Sequence, residues 1–150
     1  MGLDMYLNKH TYVKHWEHNG DNNYEVKVTK AGNPTNIDPK KVKYIIEEAG
    51  YWRKANQIHN WFVENIQKGV DNCGDYYVDT DDLEKLLDVC EKVKADHSLA
   101  DTLLPSASGF FFGGTEYDEW YFTDIDNTIE ILKEALADES DSSYYYSSSW

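Results

Sequence analysis

The chain has 150 residues, of which 15% are aromatic, and carries a formal net charge of -14. This length fits a single domain whose core needs no metal or disulfide, and two cysteines exclude a disulfide framework. The first residues carry neither the basic region nor the apolar run of a signal peptide, and no apolar run is long enough to span a membrane, so we expect a cytoplasmic protein.

The negative charge is concentrated in the second half of the chain. Residues 1–78 hold 10 acids and 10 bases, whereas residues 79–150 hold 18 acids and 4 bases. A surface of this sign repels nucleic acid and attracts basic partners. We therefore expect no direct nucleic-acid binding, and the lack of a long apolar run predicts no membrane partner. The two remaining explanations are a partner protein with a basic surface and a charge that serves only solubility.

Apolar alternation predicts strands at the start of the chain. One strand covers residues 3–7 and continues through 11–13, and a second covers 24–28, with turn residues at 18–23 between them. The first 30 residues are thus predicted to form a hairpin.

A long helix is predicted next, because Asp38 and Pro39 are a typical cap and first helical residue. Gly69 ends this helix, and Gly50 is a point where it could bend or split. Its apolar stripe keeps helical spacing throughout: Val42, Ile45, Ala49, Trp52, Asn56, His59, Val63 and Ile66.

The second half is predicted to contain further strands and two helices. A short strand covers 76–78, and a hairpin pairs 110–112 with 120–122 through a turn at 113–117. One helix begins at Asp79 or Thr80 and another at about Asp124. Their inner faces are Leu83, Leu86, Leu87, Cys90 and Val93 in the first, and Ile125, Ile129, Leu132 and Leu136 in the second.

Together these elements predict an α+β fold. We expect one domain over residues 1–137, with an antiparallel sheet of about four or five strands packed against about three helices. The Ser/Tyr-rich acidic tail, residues 138–150, is low in complexity and is predicted to be disordered.

A polar interruption of the long helix is the main candidate site. Asn56 and His59 fall on the apolar stripe, and Arg53 lies one turn earlier. Buried polar groups need hydrogen-bond partners, so we expect at least one acid of the predicted hairpin to bond with this trio. Either an internal polar network or a ligand pocket would result. The candidate binding residues are Arg53, Asn56, His59, Glu116, Asp118, Glu119, Trp120 and Tyr121.

No motif predicts catalysis or a cofactor. The chain has no zinc-type cysteine pair, phosphate-binding loop or dinucleotide fingerprint, and residues 79–82 begin like a calcium loop but lack its later ligands. We therefore predict no metal, no cofactor and no catalytic residue, and we favour a binding protein over an enzyme.

Three blocks resemble a family of small uncharacterised proteins of phages, prophages and bacteria. These blocks are GLDMYL at residues 2–7, YWRKANQIHNWF at 51–62 and SGFFFGGTEYDEWYF at 108–122. The resemblance implies a phage or mobile-element setting, and hence the cytoplasm of a bacterial host. It implies no activity.

Two functions are compatible with these observations. The favoured one is a small acidic protein that acts by protein contact, such as a nucleic-acid mimic that inhibits a host defence or DNA-handling protein. The alternative is a small-ligand-binding protein or small enzyme with a pocket around Arg53, His59 and the acids at 116–119. The sequence leaves open whether the chain forms a homo-oligomer.

Overall fold

The computed structural model describes residues 2–109 and 112–150. The strands are β1 (Asp4–Tyr12), β2 (Thr29–Lys30), β3 (Asn33–Pro34), β4 (Tyr44–Arg53), β5 (Tyr76–Val78) and β6 (Ser142–Ser149). The helices are α1 (Asn56–Asn65), α2 (Thr80–Ala95), α3 (Ala100–Leu103, preceded by a 3₁₀ turn at His97–Leu99) and α4 (Glu119–Ala137).

The fold is α+β, as predicted. A four-stranded antiparallel sheet has the order β4-β1-β6-β5, and β2 and β3 form a separate small hairpin. The helices pack on one face of the four-stranded sheet as a single domain. Across residues 2–109 and 112–150, no helix combines the length and apolar character needed to cross a lipid bilayer.

The core lies between this sheet face and the helices. From β1, Met5 and Leu7 point inward by the two-residue period of a strand, and both are fully buried. Gly50 of β4 allows α4 to come close, because a Cβ at this position would lie 2.5 Å from Cγ2 of Ile131. The predicted helix α2 is confirmed, with the Asp79 side chain accepting the Asp82 amide as its cap.

The long helix predicted over residues 39–68 is wrong in its first half. Only a 3₁₀ turn, Pro39–Lys41, follows the Asp38 cap, and the chain then becomes strand β4 before α1 begins. The apolar stripe does not mark a buried face in this half: Ile45 is 43% exposed, and the buried residues of β4 are Gly50 and Trp52, which are two residues apart as in a strand. A β-bulge also interrupts β4, where the register with β1 shifts so that Gly50 pairs with Leu7 and Glu48 with Asn8.

The predicted N-terminal hairpin is also wrong. Residues 24–28 are not a strand, and β1 pairs instead with β4 on one side and β6 on the other. The small β2–β3 hairpin turns through Ala31 and Gly32, which both have positive φ, as a two-residue type I′ turn requires.

The predicted hairpin over residues 110–122 is wrong in its second strand. Residues 120–122 belong to the first turn and a half of α4, because Asp118 caps the helix through the amides of Trp120 and Tyr121. Phe112 is not in a strand. Phe110 and Phe111, the rest of the predicted first strand, lie outside the described residues.

The predicted disorder of residues 138–150 is wrong as well. Ser142–Ser149 form β6, an inner strand of the sheet between β1 and β5. Its alternation is inward for Tyr144 and Tyr146 and outward for Tyr145, and Tyr146 is fully buried. The low-complexity composition concealed a Tyr/Ser alternation that suits a strand with one buried face.

Candidate functional site

A cleft of about 430 Å³ lies where the end of β4 and the start of α1 meet the loop before α4. Its size falls at the lower end of the range for small-molecule sites. Six of the eight candidate binding residues line it: Arg53, Asn56, Glu116, Asp118, Trp120 and Tyr121. His59 and Glu119 do not.

Asn56 holds the loop that forms one side of the cleft. Its Nδ2 donates to the carbonyls of Phe112 at 3.1 Å and Gly114 at 2.7 Å. Its Oδ1 accepts the amide of Ala107 at 3.0 Å. A buried amide with all these bonds fixes two separate parts of the loop against α1, which gives the cleft a rigid wall.

The predicted bond between a hairpin acid and the polar trio does not form. Within the described part of the chain, no hydrogen bond or ion pair joins Glu116, Asp118 or Glu119 to Arg53, Asn56 or His59. Loop carbonyls satisfy Asn56 instead, and Asp118 is used as the cap of α4. Backbone carbonyls in a tight loop need donors as much as the amide needs acceptors.

Trp120 and Tyr121 face in different directions at the start of α4. The Trp120 side chain is 71% exposed beside the cleft, whereas Tyr121 is buried and donates its hydroxyl to the Leu104 carbonyl at 2.6 Å. Burial raises the pKa of Tyr121, so its hydroxyl stays protonated and serves as an anchor. Trp120 is thus the aromatic surface that the cleft offers to solvent.

Asp124 is a cleft residue that sequence reasoning missed. Burial raises the pKa of its carboxyl to about 6, the nearby amide of Gln57 acts in the opposite direction, and the negative charge of Asp118 adds to the rise. Because the sequence predicted Asp124 only as the approximate start of a helix, it did not indicate that this residue lies in the cleft. A carboxyl with a raised pKa in a cleft is a recognised sign of a functional site.

His59 lies in a separate buried network behind the cleft. Its Nε2 is 2.9 Å from Oδ2 of Asp71, and its Nδ1 is 2.6 Å from the Tyr146 hydroxyl. Because the carboxylate can only accept, Nε2 carries a proton, and a neutral ring then accepts the tyrosine hydroxyl at Nδ1. Asp71 also accepts the indole N–H of Trp150 at 3.1 Å.

This network ties α1 to β6. Tyr146 stacks on Phe62 of α1 with ring centroids 3.9 Å apart, and burial holds the pKa of its hydroxyl well above the usual range. The sequence flagged His59 as buried and polar, but both partners come from segments whose placement it did not predict. Of the two alternatives, the internal polar network and the ligand pocket, His59 belongs to the internal polar network.

Ten of the 18 acids of residues 79–150 lie in α2 and α4, which together we call the helical layer, and eight of these ten are exposed. Each of the four lysines in this half lies beside an acid: Lys85 with Asp82, Lys92 with Asp88, Lys94 with Asp126 and Lys133 with Glu91. The last two pairs join α2 to α4. In the described residues, no group of three or more His, Cys, Asp or Glu side chains is arranged to hold a metal ion.

Comparison with known proteins gives no match to a family model, to a curated protein or to a solved structure.

Proposed function

We propose that the chain is a small binding protein that acts by contact with a basic host protein. The observation that carries this proposal is the state of the charges on the helical layer. α2 and α4 hold 10 of the 18 acids of residues 79–150 and all four of its bases, and each of these bases already has an acidic neighbour. None of these four lysines is therefore free to repel a basic partner that approaches the acids.

The acids on α4 are regularly spaced. Asp126, Glu130 and Glu134 follow one another at intervals of four residues and are exposed. This interval places successive carboxylates about 6 Å apart along the helix axis. On the neighbouring α2, Asp81 and Glu84 are likewise exposed.

The row of carboxylates on α4, with the exposed acids of the adjacent α2, is suited to stand in for the phosphates of a nucleic acid. Duplex DNA carries one charge per about 1.7 Å of axis, so the helical layer is a less dense version of the same pattern. Together with the phage-like sequence blocks, this supports a mimic that occupies the nucleic-acid groove of a defence or DNA-handling protein in the host cytoplasm. The same negative field opposes binding of DNA itself.

The proposal is tested by capture from bacterial lysate. The tagged protein is compared with a variant that carries Asp126→Asn, Glu130→Gln and Glu134→Gln, and captured proteins are identified by mass spectrometry. We expect a basic protein that the wild type retains, that the variant loses, and that double-stranded DNA displaces, because both compete for one groove.

A matched control removes the same number of charges elsewhere. Glu17→Gln, Asp21→Asn and Glu25→Gln lie in the segment between β1 and β2, away from the helical layer. This control should capture the partner as well as the wild type does. Equal capture by the helical-layer variant, or capture that DNA does not disturb, would contradict the mimic.

A further inference from the structure

The cleft carries bases and acids that come from different segments. Arg53 and Lys54 belong to the end of β4 and the connection to α1. Glu116, Asp118 and Asp124 belong to the loop and to the first turns of α4. Both signs of charge therefore border one space of about 430 Å³.

These charges do not neutralise one another. In residues 2–109 and 112–150, neither Arg53 nor Lys54 has an acidic side chain within ion-pair distance. The Asp124 carboxyl likewise has no base within ion-pair distance among these residues. The cleft thus carries bases and acids that, among the described residues, form no ion pairs with one another, and Asp118 accepts the Trp120 and Tyr121 amides through Oδ1 only, so its Oδ2 stays available to a ligand.

The walls of the cleft are held in place by contacts that leave these charges available. Asn56 fixes the loop through three backbone bonds, and Gln57 donates to the Tyr121 carbonyl of α4 at 3.2 Å. Lys54 has a left-handed backbone, with φ of 56°, and its amide donates to the Leu3 carbonyl at 2.7 Å. Left-handed backbone at a non-glycine residue is costly, and such strain is often found at functional sites.

We propose that the cleft binds a small zwitterion of the α-amino-acid class. The carboxylate of the ligand meets Arg53 and Lys54, its ammonium group meets Asp124 and Asp118, and its side chain lies on the exposed ring of Trp120. The presence of both signs of charge around one space favours a ligand that carries both charges, and the cleft volume limits its size. This site is independent of the acidic helical layer.

The ligand itself provides the first test. Isothermal titration calorimetry with each proteinogenic L-amino acid should identify at least one that binds. Its N-acetyl derivative, which lacks the ammonium group, and its carboxamide, which lacks the carboxylate, should each bind at least about tenfold more weakly. A charge-assisted hydrogen bond of about 1.5 kcal/mol or more corresponds to such a factor.

Variants then locate the site. Arg53→Met and Asp124→Asn should each weaken binding about tenfold or more, with Arg53→Gln as a second variant if the first does not fold. Lys133→Met and Glu130→Gln, which make the same charge changes on the outer side of α4, should leave the Kd unchanged. Three results would overturn the inference: no amino acid binds, a singly charged derivative binds equally well, or the cleft variants behave like the controls.

Discussion

At the scale of single residues, the hydrogen bond between His59 and Tyr146 lies inside the hydrophobic core. Both side chains are almost fully buried, and in the described residues the Tyr146 hydroxyl and the Nδ1 atom of His59 have no hydrogen-bond partner other than each other. Removing one partner leaves a buried polar atom unpaired, which costs about 1–3 kcal/mol. We therefore expect Tyr146→Phe to lower the free energy of unfolding by about that amount, as measured by urea denaturation.

Tyr145→Phe is the matched control for this substitution. Tyr145 lies next to Tyr146 in β6 but points to the outer face of the sheet, where water can replace a lost hydroxyl contact. Removing the Tyr145 hydroxyl should change the free energy of unfolding by less than about 0.5 kcal/mol. Equal effects of the two substitutions would show that the bond to His59 contributes nothing specific.

The raised pKa of Asp124 predicts that the free energy of unfolding depends on pH. Its folded-state pKa of about 6 lies above the unfolded value of about 3.9. The folded state therefore binds the proton more tightly. The cost of ionising Asp124 is absent below about pH 3.9 and complete above about pH 6. The charged groups that face the same cleft are Asp118, Glu116, Arg53 and Lys54.

Asp124→Asn removes this cost because the amide does not ionise. Relative to the wild type, the variant should gain on the order of 1–3 kcal/mol of stability between pH 4 and pH 7.5. Urea denaturation of both proteins at the two pH values measures this difference, and Glu130→Gln on the exposed side of α4 is the control. A difference that does not change with pH would mean that the Asp124 carboxyl is not perturbed.

The residue scale also shows what a sequence pattern can identify. Asn56 and His59 interrupt an apolar stripe, and both are indeed buried and fully bonded. Their partners could not be inferred, because a stripe reports burial and not which distant segment covers it. Asp71 and the Gly114 carbonyl lie in connections between elements and carry no periodic signal.

At the scale of secondary-structure elements, β6 has the largest consequence. It pairs with β1 over eight residues and with β5 over three, and it contributes Tyr146 to the core. Deleting residues 138–150 would expose both neighbouring strands and the packed face of Phe62. We expect the truncated chain to lose cooperative thermal unfolding, since the stability of a typical domain is only about 5–15 kcal/mol.

A control for this deletion keeps the strand and changes its outer face. Ser143→Thr and Ser147→Thr introduce residues that favour strands at outward positions, so the melting curve should be preserved or shifted slightly upward. Calorimetry of the three proteins makes the comparison. A truncated chain that melts as the full chain does would show that β6 is not required for the fold.

The elements that the sequence predicted correctly are those whose spacing is regular. α2 and the inner face of α4 follow an uninterrupted helical period, and β1 alternates cleanly. The prediction for β4 failed because Ile45 and Ala49, which continue the helical spacing, are not buried, whereas the buried Gly50 and Trp52 follow the period of a strand. α4 began earlier than predicted because aromatic residues at 120–122 favour strands locally, whereas the Asp118 cap and burial of Tyr121 favour the helix.

At the scale of the whole molecule, the two ends of the chain lie side by side in the sheet. β1 and β6 are its inner strands, so the sheet is complete only when the last residues of the chain have joined the first. Composition alone could not predict this arrangement, because pairing of distant strands depends on which edges remain open. The α+β class was predictable, since it requires only the kinds of elements and not their order.

The net charge acts on the whole molecule and should make its stability depend on salt concentration. A charge of -14 on 150 residues disfavours the compact state through self-repulsion, most of all where α2 and α4 bring their acids together. Salt screens such repulsion, because the Debye length falls from about 30 Å at 0.01 M to about 8 Å at 0.15 M. We expect the melting temperature to rise over this range of sodium chloride concentration.

The variant with Asp126→Asn, Glu130→Gln and Glu134→Gln should show a smaller rise, because three of the repelling charges are gone. The control with Glu17→Gln, Asp21→Asn and Glu25→Gln removes the same formal charge from a region where acids and bases balance, so its salt dependence should stay closer to that of the wild type. A melting temperature that falls with salt would mean that the ion pairs between α2 and α4 outweigh the repulsion among the remaining acids.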